Sequence, residues 1–190
     1  MKLIVGLGNP GAEYALNRHN IGFILIDALN ESFDGGPFRS EKKALISRLN
    51  IEGESVLLAK PQTYMNLSGG PTQALMQYYK IPTEDLLVLH DDLDTEFGCY
   101  RFQKNRGAGG NNGIKDIHAK LGTQDYARLK IGIGRPNGKQ APSDYVLKNF
   151  DDKQQDLLQD HLLNDLEDAV VAFVKKGYTY AGNHHNKRST

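Results

Sequence analysis

Cysteine occurs once in these 190 residues and tryptophan not at all. With Cys99 alone, no internal disulfide can form, so the fold must be held by its core. Long apolar runs are also missing. Stretches such as Leu3–Val5 and Ile24–Ile26 fall far short of the ~20 residues a helix needs to span a bilayer. The opening Met-Lys-Leu-Ile-Val-Gly is too short in its apolar part to read as a secretory leader. Net charge is absent as well: 23 Lys and Arg balance 23 Asp and Glu, which speaks against a general nucleic-acid binder. What is present, 39% hydrophobic and 24% charged residues, fits one cytoplasmic globular domain with a sizeable core.

The neutral total hides an uneven distribution. Between Glu96 and Asn149 ten Lys and Arg face four acids, whereas Phe150–Asp168 holds seven acids and one lysine. A basic segment inside a neutral chain points to a local phosphate contact. Ordinary solvated surface is the competing reading.

Lys2–Leu7 reads as a buried strand ending in the turn Gly8-Asn9-Pro10-Gly11. Apolar residues at helical spacing follow from Asn20 to Leu29, and Asp34-Gly-Gly-Pro37 breaks the chain. Ala44–Ile51 and Ser55–Ala59 around Glu52-Gly53-Glu54 suggest a hairpin. Pro71–Tyr79 and Asn112–Leu121 read as helices, and Leu86–Leu89, Tyr100–Phe102 and Arg128–Ile133 as strands. Asp151–Lys176 reads as a long amphipathic helix or helix pair, acidic at its start and basic at its end as the helix dipole favours. Strands alternating with helices predict an α/β fold: one domain over residues 1–182, with a mixed, mostly parallel twisted sheet flanked by helices on both faces in three α/β/α layers. Residues 183–190 are polar, and the tail from Gly182 is expected to be mobile.

Gly6-Leu-Gly-Asn-Pro-Gly11 matches the G-x-G-x-x-G dinucleotide fingerprint literally. That fingerprint needs a helix opening in the glycine turn and an acid ending the next strand. Here the helix pattern starts only near Asn20, and Asp27 falls inside it. A rigid turn presenting Asn9 at a strand's carboxyl end is the better reading. His19 lies just before the predicted helix, where the positive helix terminus disfavours an imidazolium and helps keep the ring neutral. A neutral imidazole near pH 7 suits a general base. Asp91, in His90-Asp-Asp-Leu-Asp94, is a candidate to orient that ring. The same acids also suit a divalent cation or simple loop chemistry. No serine sits in a nucleophile elbow. Asn9, Asn66 and Asn112 all fall near loop–helix junctions; such amides can grip a peptide backbone without reading its side chains, or act as turn and cap residues.

Several segments together closely resemble the bacterial peptidyl-tRNA hydrolase family. They are Val5–Gly11 with Tyr14, Arg18–Asn20, Pro61 with Met65–Gly69, His90–Asp94, Gly109–Asp116 and Arg128–Gly134, in family order over about residues 1–150. The resemblance implies a monomeric enzyme, without cofactor or metal, that cleaves the ester joining a peptidyl group to the 3′ ribose of tRNA. It implies that His19 activates water and Asp91 orients it. Asn9, Asn66 and Asn112 would hold the peptide and 3′ end, with Asn112 near the attacking water. Met65 would line the peptide channel, and Tyr14 would lie near the 3′ end. Arg101, Lys104, Arg106 and Lys130 are the expected tRNA-phosphate contacts, and no membrane partner is implied. Three positions depart from the family's common pattern: Asn111 where histidine is frequent, Gln103 where lysine is common and Lys130 where arginine is common. The principal alternative is a non-catalytic RNA-binding module of the same fold; a dinucleotide-dependent oxidoreductase ranks third.

Overall fold

The computed structural model describes residues 1–189. A seven-stranded sheet runs in the order β2-β3-β4-β1-β5-β7-β6. Its strands are β1 (Lys2–Gly6), β2 (Arg39–Glu41), β3 (Ala44–Ile51), β4 (Glu54–Pro61), β5 (Leu86–Asp92), β6 (Tyr100–Gln103) and β7 (Ala127–Gly132). The central strands β4, β1, β5 and β7 are mutually parallel. Antiparallel pairing adds β3 and β2 on one side and β6 on the other.

Side-chain alternation along the central strands feeds two cores, the requirement for a sheet covered on both faces. Ile4, Leu87, Leu89, Leu129 and Ile131 pack with α1 (Ile21–Ser32) and α6 (Leu163–Lys176). Leu3, Val5, Leu57 and Val88 pack with α2 (Gly69–Tyr79) and α3 (Asn112–Leu121) on the other face. The three-layer expectation holds. Shorter helices complete the chain: α4 (Pro142–Val146), α5 (Asp152–Leu157) and α7 (Tyr178–His185). The predicted helix Asp151–Lys176 is α5 and α6 joined by a π-helical turn at Leu158–Leu162. It opens with a capping box between Asp151 and Gln154. Among the described residues no helix is long and apolar enough to cross a membrane.

Three sequence expectations need correction. β5 extends to Asp92, so Asp91 lies in a strand rather than in the loop after one. β2 was not anticipated, because its turn to β3 uses Lys42 and Lys43 at φ 51° and 61°, where glycine or asparagine is the usual signal. The tail expected to be mobile is folded onto β6 at Asn186 and Lys187, and its last residue, Thr190, lies outside the described residues. Lys187 and Tyr100 exchange backbone hydrogen bonds of 2.8 and 3.0 Å, and the Phe102 N–H donates to Asn186 Oδ1 at 2.8 Å.

The glycine motif has a packing role. A Cβ on Gly6 would strike the Gly22 carbonyl, and one on Gly22 would strike the backbone of Leu7 and Leu89. α1 therefore meets β1 and β5 backbone to backbone, which fixes where its first turn lies. Between β1 and α1 the chain makes only short 3-10 turns, at Ala12–Tyr14 and Arg18–Asn20. The helix does not open in the glycine turn as a dinucleotide site requires. Gly22→Ala is expected to cost about 2–3 kcal/mol of stability, as overpacking in a rigid core does, measurable by urea unfolding.

Candidate active site

A cleft of about 410 Å³ opens at the carboxyl ends of the parallel strands, where open α/β sheets bind ligands. The loop after β1 contributes Asn9, the 3-10 turn before α1 contributes His19, and the end of β5 contributes His90, Asp91 and Asp92. Met65 and Asn66 come from the 3-10 turn ahead of α2, and Gly109–Asn112 from the loop that runs into α3. Pro142, Val146 and Leu147, in and just after α4, supply an apolar lip.

His19 Nδ1 lies 2.7 Å from Asp91 Oδ2. An ionised carboxylate only accepts, so Nδ1 carries the proton and Nε2 keeps its lone pair. Asp91 is 5% exposed. Burial disfavours the charged imidazole, but the Asp91 charge and hydrogen bond outweigh it, and the His19 pKa is raised above 6.5. The helix terminus was expected to keep this ring neutral; the carboxylate dominates instead. The other Asp91 oxygen, Oδ1, accepts from Asn111 Nδ2 at 2.9 Å.

Asn9 is fixed in orientation. The Met65 N–H donates to its Oδ1 at 2.7 Å, which only an amide oxygen can accept, so its NH2 is left for the cleft. Asn20 locks the same turn through a reciprocal pair with the Asn9 backbone, both bonds 2.9 Å. Asn66 and Asn112 line the cleft with exposed side chains. Met65 is buried against Gly113, where a Cβ would lie 2.7 Å from its sulfur. Arg18, next to His19, stacks on the Tyr145 ring at 4.2 Å. Its guanidinium also reaches the Tyr145 and Lys148 carbonyls, strapping the apolar lip to the turn that carries His19.

Beneath the cleft His90 donates from Nδ1 to the Asp91 carbonyl at 2.9 Å. Its Nε2 faces Arg128 Nη1 at 3.3 Å. Arg128, 1% exposed, also holds the carbonyls of Arg106 and Gly107 at 3.2 and 3.0 Å and the Gln103 side-chain oxygen. Gln103 thus accepts where a lysine would face a guanidinium. Burial disfavours a charged Asp92, yet hydrogen bonds from Thr95 and the Asp94 N–H, with the Lys130 ammonium, hold its pKa below the usual carboxylate range. Asp94 in turn accepts from the Arg135 guanidinium, so all three acids considered for a cation are already engaged. Among the described residues no group of three or more His, Cys, Asp or Glu side chains is gathered to hold a metal ion.

The structure brings together His19, Asp91, Asn9, Met65, Asn66, Asn112 and Lys130 from the sequence-derived set, the last in the cleft wall 3.4 Å from Asp92. Tyr14 does not line the cleft. Arg101 and Lys104 lie on or just after β6 and Arg106 in the following loop, all outside the cleft. Lys104 sits 3.7 Å from Asp125. Sequence reasoning missed the roles of Asn20, Arg18, Arg128 and Asn111. Only Asn111 carried a local signal, an asparagine directly before a predicted helix.

Fold and cleft define a class: an α/β protein with a hydrogen-bonded His–Asp pair in a cleft at the carboxyl end of its parallel sheet. The cleft's serine, Ser143, makes no hydrogen bond to His19 among the described residues. The model of the family described as "Peptidyl-tRNA hydrolase" matches residues 3–190, and the chain belongs to that family. It is 47% identical over 187 residues to the peptidyl-tRNA hydrolase of Bdellovibrio bacteriovorus, covering 98% of this chain and 100% of that one. It is 45% identical to that of Rhodopirellula baltica, covering 100% and 99%. The crystal structure of peptidyl-tRNA hydrolase from Acinetobacter baumannii superposes with a TM-score of 0.90 at 36% identity, covering 98% of this chain and 94% of that chain.

Burial and the adjacent Arg128 guanidinium push the His90 pKa down to about 4. The unfolded chain binds a proton there near pH 6.5 that the folded chain refuses, so stability is full above about 6.5 and falls as pH drops towards 4. The expected loss reaches about 3 kcal/mol, measured by urea unfolding across that window, with the His90 ring silent in an NMR titration until about pH 4.

Proposed function

We propose that this chain hydrolyses the ester between a peptidyl group and the 3′ ribose of tRNA by direct attack of water. The observation that carries the reading is the 2.7 Å His19–Asp91 contact in the floor of a cleft lined by Asn9, Asn66 and Asn112. His19 Nε2 takes a proton from water as the oxygen bonds to the ester carbon, and Asp91 stabilises the resulting imidazolium. The tetrahedral intermediate then breaks its bond to the ribose oxygen, which leaves with the proton from His19. Asn9 presents only donors to the cleft and suits a carbonyl or developing oxyanion. Asn66 and Asn112 retain both donor and acceptor and suit peptide amides, with Asn112 beside the attacking water. Met65 lines the channel for the peptide, and Tyr14 meets the 3′ end outside the cleft. The reading keeps the reaction free of metal and cofactor, in a cytoplasmic monomer.

The tRNA side is assigned to the basic segment. Arg101 stands opposite Lys130 in the β6–β7 ladder, so both side chains leave one face of the sheet, with Lys104 and Arg106 further along the chain. Lys130 joins that face to the cleft.

Peptide release from a defined peptidyl-tRNA in EDTA tests substrate, base and metal independence together. His19→Ala should lower turnover ~10²–10⁴-fold with folding intact. Near-normal single-turnover cleavage by that variant removes His19 from the mechanism, and tight RNA binding without release favours the non-catalytic module. Because the His19 pKa is raised and the base must be unprotonated, kcat should climb with pH along a limb whose midpoint lies above 6.5. Replacing Arg101 and Lys104 by Ala should raise KM and flatten the salt dependence by about two phosphate contacts, while small N-acyl-aminoacyl esters are cleaved as before. Equal loss on the small esters would mean the footprint is misplaced.

A further inference from the structure

Asn111 occupies the side of Asp91 opposite His19. Its Oδ1 accepts from the Gly113 and Ile114 N–H groups at 3.0 and 3.1 Å, which makes it the N-cap of α3. Backbone N–H groups only donate, so the amide cannot be flipped, and Nδ2 is committed to Asp91. It reaches Oδ1 at 2.9 Å and lies 3.4 Å from the Asp91 carbonyl. One amide thus joins the carboxylate that holds His19 to the helix whose first residue is Asn112.

We infer that Asn111 is a positioning residue for the reaction: it fixes the Asp91 carboxylate from the side opposite His19 and sets Asn112 against the same reference point. The inference rests on the reading of His19 as general base. Asn111 donates to Asp91 without adding charge, so it holds the carboxylate in place for His19 without a second cation beside it. The charged groups nearby are accounted for. Asp92 and Lys130 pair with each other, Arg128 turns to His90 and the Arg106–Gly107 carbonyls, and Arg18 turns to the Tyr145–Lys148 segment. From α3, Asn111 supplies the polar contact to Asp91, while Asp116 is engaged by the Gly69 N–H.

Capping and positioning separate in two variants. Serine caps helices as well as asparagine, but its hydroxyl ends one bond short of the Asn111 Nδ2 position. Asn111→Ser therefore keeps the cap and loses the Asp91 contact, whereas Asn111→Ala loses both. The expected result for Asn111→Ser is a melting temperature near wild type, a kcat on peptidyl-tRNA lowered about tenfold, as for a lost hydrogen bond to a charged group, and KM changed less than about twofold. The His19 ring, followed by NMR without substrate, should titrate at higher pH, since the carboxylate then shares its charge with the imidazole alone. Asn111→Ala should match Asn111→Ser in His19 titration, lower kcat at least as far, and differ from it by a lower melting temperature. A wild-type kcat and titration in Asn111→Ser, with loss only in Asn111→Ala, would reduce Asn111 to a cap. A change in either kcat or the His19 titration without the other would equally overturn the inference. Failure of the base reading itself is visible separately, as near-normal cleavage by His19→Ala.

Discussion

A carboxylate 5% exposed survives in a protein interior only when its oxygens are hydrogen-bonded to partners that tolerate or balance the charge. Asp91 meets that condition with one imidazole and one amide, and much of the architecture follows from bringing those two groups to it. His19 arrives because α1 lies against the sheet at backbone contact through Gly6 and Gly22. Asn111 arrives because it caps a helix whose second residue, Gly113, packs without clearance on Met65. Helices on opposite faces of the sheet are thus referenced to one charge at the end of the strand between them.

Around that charge, polar side chains are mostly held by backbone groups, which cannot adjust their roles. Asn9 is oriented by the Met65 N–H, Asn20 by the Asn9 peptide, and Asn111 by the first turn of α3. Arg128 does the same from below for the loop ahead of Asn111. Preorganised amides of this kind need little rearrangement when a ligand binds, which is where such sites gain over solvent water. Asn66 and Asn112, by contrast, stand exposed at the cleft with no side-chain hydrogen bond among the described residues.

The layers of the fold were legible in the sequence because apolar spacing is a local signal: buried runs gave the central strands, and amphipathic spacing gave α1, α2, α3 and the long C-terminal helix. The hairpin between β3 and β4 was readable from its Glu52-Gly53 turn. β2 was not, since two lysines in left-handed conformation carry no turn signature. α4 is a five-residue helix, too short for periodicity to register. In the site, His19, Asp91 and the asparagines stood out by their places beside strand ends and helix starts, but only the family pattern joined them into one site, because residues 72 positions apart in the chain meet only in three dimensions. The direction of the His19 shift was misjudged for the same reason. The helix terminus was visible in the sequence, but the distance to the opposing carboxylate was not.

The ordered tail bears on how the sheet ends. An open sheet has two edges, and each is a row of unpaired backbone groups able to recruit strands from other molecules. On one side the edge is β2, three residues long, with a charged residue at each end. On the other, β6 is met by Asn186 and Lys187 before anything else can reach it. Both rims are closed to intermolecular strand pairing, one by brevity and charge and the other by the chain's own last turn. The sheet is thereby protected against edge-to-edge aggregation while its carboxyl end stays open to ligand.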